Sequence, residues 1–195
     1  FNLDQRLAIT RALVHPLTAA FAAELERFER AQRGQRELAQ IGRSLSADEP
    51  LPVASSEFTR KGTAALLQML EREPRHSCVL IGAAGSGKTT LAQSALKQLV
   101  REGWQVIEAT PAQLMAGQKF IGELEQRVEN LVLGLAHPRC IWYVPDCHQL
   151  LETGAWSGNP RGLLDLLVPH LERGSLQLLG ETTLAAWARV LTQRP

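Results

Sequence analysis

The sequence predicts an α/β fold: three layers, with helices on both faces of a parallel sheet and a helical segment ahead of it. Three observations predict it. From about residue 58 onward strand-like apolar runs alternate with helical patterns, as parallel crossover units require. One crossover, from Cys78-Val79-Leu80-Ile81 into a helix covering Thr90 to Val100, is bridged by the glycine-rich octapeptide Gly82-Ala83-Ala84-Gly85-Ser86-Gly87-Lys88-Thr89. The chain, at 195 residues, is long enough for one such domain with an appendage.

Taken in order, the first segment is helical. Leu7, Leu13, Leu17, Phe21, Leu25 and Phe28 recur at steps of three to six residues, with Glu24, Arg27, Glu29 and Arg30 between them. Pro16 should kink or restart that helix. Residues 1–45 therefore read as a helical N-terminal segment, separate from the main domain and packed on the core or on a partner. Residues 46–57, in a Ser-, Pro- and Asp-rich stretch, read as a linker. The domain proper is expected over 58–195. It opens with a helix from about Phe58 to Glu71, capped by Ser55 or Ser56 and closed before Pro74. Strands are expected at Cys78–Ile81, Trp104–Ala109, Cys140–Val144 and Leu176–Leu179. Helices are expected over Gly122–Leu135, Leu163–Leu171 and Leu184–Leu191. No internal repeat or low-complexity tract interrupts the pattern.

The octapeptide is a complete G-x-x-x-x-G-K-T phosphate loop in the strand–loop–helix context that the motif needs. Its glycines let backbone N–H groups converge on phosphate oxygens, and the helix N-terminus adds partial positive charge. Lys88 reaches β- and γ-phosphates, and the Thr89 hydroxyl ligates Mg²⁺. The nucleotide contacts expected are Gly82, Ala83, Ala84, Gly85, Ser86, Gly87, Lys88, Thr89 and Thr90, with ATP or ADP and Mg²⁺ as the bound groups. A net charge of +1 argues against a bulk electrostatic nucleic-acid binder. Cys78, Cys140 and Cys147 are odd in number and lack framework spacing, which suggests reduced thiols in a cytoplasmic protein. No apolar run approaches the roughly 18 residues of a membrane span, and no signal peptide is visible. Because Phe1 is not a methionine, the chain reads as a fragment of something longer.

From about Phe58 to Arg194 the chain resembles the first ATPase module of Clp/Hsp100 unfoldases, the ClpA-, ClpB- and ClpV-like branch of the AAA+ superfamily. Several ordered segments carry the resemblance besides the phosphate loop. Ala116-Gly117-Gln118-Lys119-Phe120-Ile121-Gly122-Glu123-Leu124-Glu125 is similar to the family's A-G-x-K-[YF]-x-G-E-[FL]-E. Cys140 to Leu150 falls where the Walker B strand belongs. Leu171-Glu172-Arg173-Gly174-Ser175-Leu176 matches L-x-R-G-x-L, and Gly180-Glu181-Thr182-Thr183-Leu184 is similar to G-A-T-T-L. The resemblance implies that Lys119 and Phe120 line the central pore of a hexamer and grip a protein client. Trp156 stands in the matching place for a second pore loop. It further implies that the threonine pair, through Thr183, supplies the polar sensor that faces the γ-phosphate.

The Walker B region departs from the family pattern of four apolar residues followed by Asp-Glu. Here the run is Ile141-Trp142-Tyr143-Val144-Pro145-Asp146-Cys147-His148. Ungapped alignment on His148 puts Pro145 at the Asp position, which helps hold Mg²⁺, and Asp146 at the Glu position, which polarises the attacking water. Asp146 can serve the metal or the water but not both, since successive residues leaving a strand point different ways. Whether the protein is an ATPase thus turns on whether Asp146 compensates. Cys147 and His148, adjacent and without a second pair, make a poor zinc set. The family's arginine finger, fifth strand and helical lid are expected beyond Pro195.

The leading expectation is an ATP-binding AAA+ module of a Clp/Hsp100-like unfoldase or remodelling chaperone, homo-oligomeric and acting on a protein client. The alternative is a non-hydrolysing nucleotide-binding scaffold that recruits a protein partner, which the Pro145 departure favours. A DNA-associated helper ATPase is a third reading, and salt-sensitive DNA binding would support it. Neither membrane nor nucleic acid is expected as a partner.

Overall fold

A computed structural model describes residues 19–48, 56–116, 121–154 and 162–193. In chain order the elements are α1 (Ala19–Ile41), β1 (Arg43–Ser44), α2 (Glu57–Leu70), β2 (Cys78–Ile81), α3 (Lys88–Arg101), β3 (Gln105–Glu108), α4 (Pro111–Met115), α5 (Ile121–Leu135), β4 (Cys140–Val144), α6 (Gln149–Glu152), α7 (Leu163–Glu172), β5 (Leu178–Thr182) and α8 (Leu184–Gln193). The strands form one sheet in the order β1-β3-β4-β5-β2, in which β3, β4, β5 and β2 run parallel and β1 is antiparallel at its edge. The predicted α/β class holds. The crossover from β2 to β3 leaves β4 and β5 to fill the space between them, so β5 lies directly beside the strand that feeds the glycine loop.

Alternation along the strands builds two cores. Ile141 and Tyr143 of β4, Val106 of β3 and Leu179 of β5 face α2 and α3, where Leu66, Leu67, Leu70, Ala95, Leu96 and Leu99 cover them. Trp142, Val144, Ile107 and Leu178 face the other way. They meet Leu38 and Ile41 of α1, Val128, Leu131 and Leu135 of α5, and Leu163 and Leu167 of α7. The helices thus lie in two layers on either side of the sheet.

Local chemistry sets the element ends. Ser56 caps α2, its hydroxyl accepting from the Thr59 N–H at 3.1 Å. Thr110 and Gln113 form a reciprocal capping box on α4, with Pro111 at its first position. The Trp142 indole N–H donates to the Ala109 carbonyl at 3.0 Å, satisfying a buried donor inside the α5-side core.

The structure differs from the sequence expectation in two places. The last strand covers Leu178–Thr182 rather than Leu176–Leu179, so Gly180, Glu181 and Thr182 lie inside the sheet. The polar run reads as the end of a strand, but partners from the glycine loop and from β4 satisfy it in the interior. The described part of the N-terminal segment packs on the core, one of the placements the sequence leaves open: α1 lies along α5, and Leu38 and Ile41 enter the core. Strand β1 extends the sheet through pairing of Arg43 with Glu108, and two residues are too short a strand to read from periodicity. The contact between α1 and α5 is backbone on backbone, since a Cβ on Gly34 would meet the Asn130 carbonyl oxygen and lie 2.7 Å from the Gly134 nitrogen. Lys119, Phe120 and Trp156 lie outside the described residues.

Candidate functional site

The site lies beyond the carboxyl ends of β2, β5 and β4, where open parallel sheets place their ligands. Strand β2 ends at Ile81, and its partner in the register is Thr182 of β5. The glycine loop then turns back into α3. Gly87 is the N-cap of α3 at φ 85°, and Gly85 has φ 73°, a left-handed backbone that side-chain-bearing residues adopt only with strain. The α3 helix is 14 residues long, so its first-turn N–H groups and its dipole are directed at the loop. The Lys88 ammonium is folded back over the loop, donating to the carbonyls of Gly82 at 3.1 Å and Ala83 at 2.8 Å. A Cβ on Gly82 would lie 2.8 Å from the Ser86 hydroxyl, which would have to turn aside. These residues fit a phosphate group: converging donors, one cation and a backbone unobstructed by side chains.

Two carboxylates, Asp146 and Glu181, stand at this end of the sheet. Asp146 is exposed, in the turn after β4, with φ 51°. No described hydrogen bond joins its side chain to Thr89. Pro145 precedes it in the same turn. The carboxylate that meets the phosphate loop is Glu181 of β5, only 5% exposed. The Thr89 hydroxyl donates to its Oε2 at 2.8 Å. The Tyr143 phenol of β4 donates to its Oε1. Burial, the hydrogen bond to Glu181 and the negative charges of Glu181, Glu108 and Asp146 push the Tyr143 phenol well above its ordinary value. The phenol therefore keeps its proton and acts as the donor. The Cys147 N–H donates to the Glu181 backbone carbonyl at 2.9 Å, pinning the turn that carries Asp146 to β5.

The two threonines do different work. Thr182 is 1% exposed and shares a hydrogen bond with His148 Nδ1 at 3.1 Å. The Thr183 hydroxyl accepts from the Ala186 N–H at 3.2 Å at the start of α8. Farther along the sheet edge, the Arg127 guanidinium of α5 donates to the carbonyls of Leu114 at 2.8 Å and Ala116 at 2.9 Å. That clamp fixes the end of α4 immediately before residues 117–120. Sequence reasoning put Lys88 and Thr89 in one loop and missed Glu181. The signal was present, because Glu181 stands where the G-A-T-T-L pattern has alanine.

Comparison with known proteins gives the chain a family and a fold. The profile of the AAA ATPase domain family matches residues 58–155, about half of the chain. Chaperone protein ClpB of Tropheryma whipplei is 31% identical over 135 residues, a match covering 66% of this chain and 19% of ClpB. The ATP-dependent Clp protease ATP-binding subunit ClpL of Staphylococcus aureus is 29% identical over 180 residues, covering 84% of this chain and 25% of ClpL. The chain thus spans about a fifth to a quarter of the length of these curated relatives. Among solved structures, the S. cerevisiae Hsp104-ADP complex superposes with a TM-score of 0.61 at 18% identity, over 80% of this chain and 23% of that one. Among the described residues no helix is long and apolar enough to cross a membrane. Phosphate loop, strand order and these likenesses together make the chain a member of the AAA ATPase domain family, with a module of the Clp/Hsp100 kind.

Proposed function

We propose that this chain is the ATP-binding module of a Clp/Hsp100-like protein unfoldase or remodelling chaperone, working as a homo-oligomeric ring, hexameric as the resemblance implies. The observation that carries it is the phosphate loop, with Lys88 and Thr89 set at the N-terminus of α3. Gly82 to Thr90 bind the phosphates of ATP or ADP. Lys88 exchanges its two loop carbonyls for phosphate oxygens, and Thr89 presents its hydroxyl to the metal. Bound Mg²⁺–ATP supplies the phosphoanhydride whose hydrolysis drives remodelling. Asp146 is the carboxylate expected to orient water or to help hold the metal, and Thr183 is the polar sensor. Lys119 and Phe120 are the client grip: a flat aromatic gives sequence-tolerant apolar contact and lysine adds a polar one.

The placement of Asp146 supports a second reading, a nucleotide-bound scaffold with little turnover. The residue is exposed in a left-handed turn, and Pro145 takes the place of the expected aspartate. A poorly positioned base costs about 10²–10⁴-fold in rate.

Both readings are tested on the full-length protein by measuring fluorescent-ATP binding and phosphate release beside Lys88→Ala and Asp146→Asn. Binding should vanish in Lys88→Ala and persist in Asp146→Asn. Turnover that is lost in both variants supports the motor. Binding without turnover in every version supports the scaffold, and binding unaffected by Lys88→Ala would refute the nucleotide site itself.

A further inference from the structure

We infer that Glu181 holds the nucleotide-bound Mg²⁺, replacing a carboxylate that the end of β4 no longer supplies. The inference rests on the nucleotide-binding reading above and adds a residue and a strand to it. Three observations carry it. Position 145, where the metal-holding aspartate is expected, is a proline and has no side-chain oxygen to offer. The neighbouring strand β5 brings a buried carboxylate to the same end of the sheet, with Oε2 2.8 Å from the hydroxyl of Thr89. That hydroxyl is the phosphate loop's own metal ligand, so a carboxylate bonded to it stands next to the cation's position. Hydroxyl and carboxylate oxygens are the hard donors Mg²⁺ takes.

The surroundings make Glu181 a fixed ligand rather than an incidental buried charge. Tyr143 holds the second oxygen from β4, on the α3 side of the sheet. The Glu181 backbone carbonyl is held by Cys147, and the strand is locked between β4 and β2. A ligand oriented this way meets the metal with its rotamer already set. The exchange also separates two duties. With Glu181 on the metal, exposed Asp146 in its pinned turn is left to orient water.

The test is nucleotide affinity of the full-length protein with Mg²⁺ and with the metal chelated, together with Mn²⁺ binding to the ADP complex read by electron paramagnetic resonance. For Glu181→Gln, apparent metal affinity should fall about 10–100-fold, while metal-free nucleotide affinity stays at the wild-type level. Asp146→Asn should keep the wild-type metal affinity. Glu181→Gln with unchanged Mn²⁺ binding overturns the inference, as does Asp146→Asn carrying the loss instead. Should Glu181→Gln fail to fold, the double variant Pro145→Asp/Glu181→Ala decides. It returns the carboxylate to β4, and metal affinity should recover only if the two positions exchange one role; a folded double variant that binds no metal refutes that exchange. Absence of nucleotide binding in the wild type, with or without metal, would instead remove the reading beneath the inference, so the two failures are told apart.

Discussion

Replacing Gly34 by alanine should destabilise the domain although it improves a helix. In an open helix the change gains about 1 kcal/mol, because glycine carries the larger backbone entropy. Here α1 crosses α5 with the two backbones touching. The new Cβ would run into the Asn130 carbonyl oxygen and sit 2.7 Å from the nitrogen and 3.0 Å from the Cα of Gly134. All three obstacles are main chain and cannot swing aside. Restoring ordinary contact of 3.4 Å to the Gly134 nitrogen alone obliges α1 to retreat by roughly 0.7 Å, and the closer Asn130 oxygen demands more, enough to forfeit a quarter or more of each dispersion contact along the seam. Leu38 and Ile41 lie on that seam. Overpacking of this kind costs about 1–3 kcal/mol. With rigid obstacles the upper end applies, which leaves a net loss of about 2 kcal/mol after the propensity gain. For a chain of this size the loss lowers Tm by roughly 4–8 °C. Gly62→Ala in α2 is the control, since its Cβ meets only the Leu91 side chain, whose Cδ1 methyl can move aside. Urea and thermal unfolding followed by far-ultraviolet circular dichroism compare the two. If Gly34→Ala matches or exceeds Gly62→Ala in stability, the close crossing does not exist as described.

Burial and capping give further expected outcomes. Burial pushes the thiols of Cys140 and Cys147 up from 9.0 to about 12, with Arg75 partly opposing the first and Asp146 reinforcing the second. Both folded values exceed the unfolded one, so the stability they contribute is complete below about pH 9 and is lost as pH rises toward about 12. The urea midpoint should fall across that window, and less steeply in Cys140→Ala/Cys147→Ala; identical slopes would contradict the assignment. Ser56→Ala removes the α2 cap and should cost about 1 kcal/mol in the same unfolding assay. Trp142→Phe leaves the buried Ala109 carbonyl without its donor and should cost about 1–3 kcal/mol, while a neutral result would mean that another donor reaches that oxygen.

The parts of the fold that were legible in sequence are those whose signal is local. Cys140–Val144 is five apolar residues in a row, and all five are buried as a strand. The phosphate loop carries its flanks with it, so β2 and α3 could be placed around Lys88 and Thr89. What escaped depends on partners distant in sequence. Glu181 reads as a polar residue ending a strand until Thr89 and Tyr143, 92 and 38 residues away, take up its two oxygens. Gly34 and Gly134 read as weak points in separate helices, and only their crossing shows that each excludes a side chain for the other. Arg43 and Ser44 join the sheet because β3 offers them an edge, not because two residues carry a period.

The junction of β5 with α8 has a mechanical consequence. Only Thr183 separates Thr182, the last residue of the strand, from Leu184, the first of the helix. Ladder pairing with β4 and β2 on its two sides holds β5 in register, so the strand end at Thr182 is a fixed point. The Thr183 hydroxyl ties the first turn of α8 to the strand end, making the helix a lever with its fulcrum there. Leu191 toward the far arm of that lever is 53% exposed, and Leu184 at the near end is 69% exposed. The orientation of that outward apolar surface is therefore set at the strand end that carries Glu181.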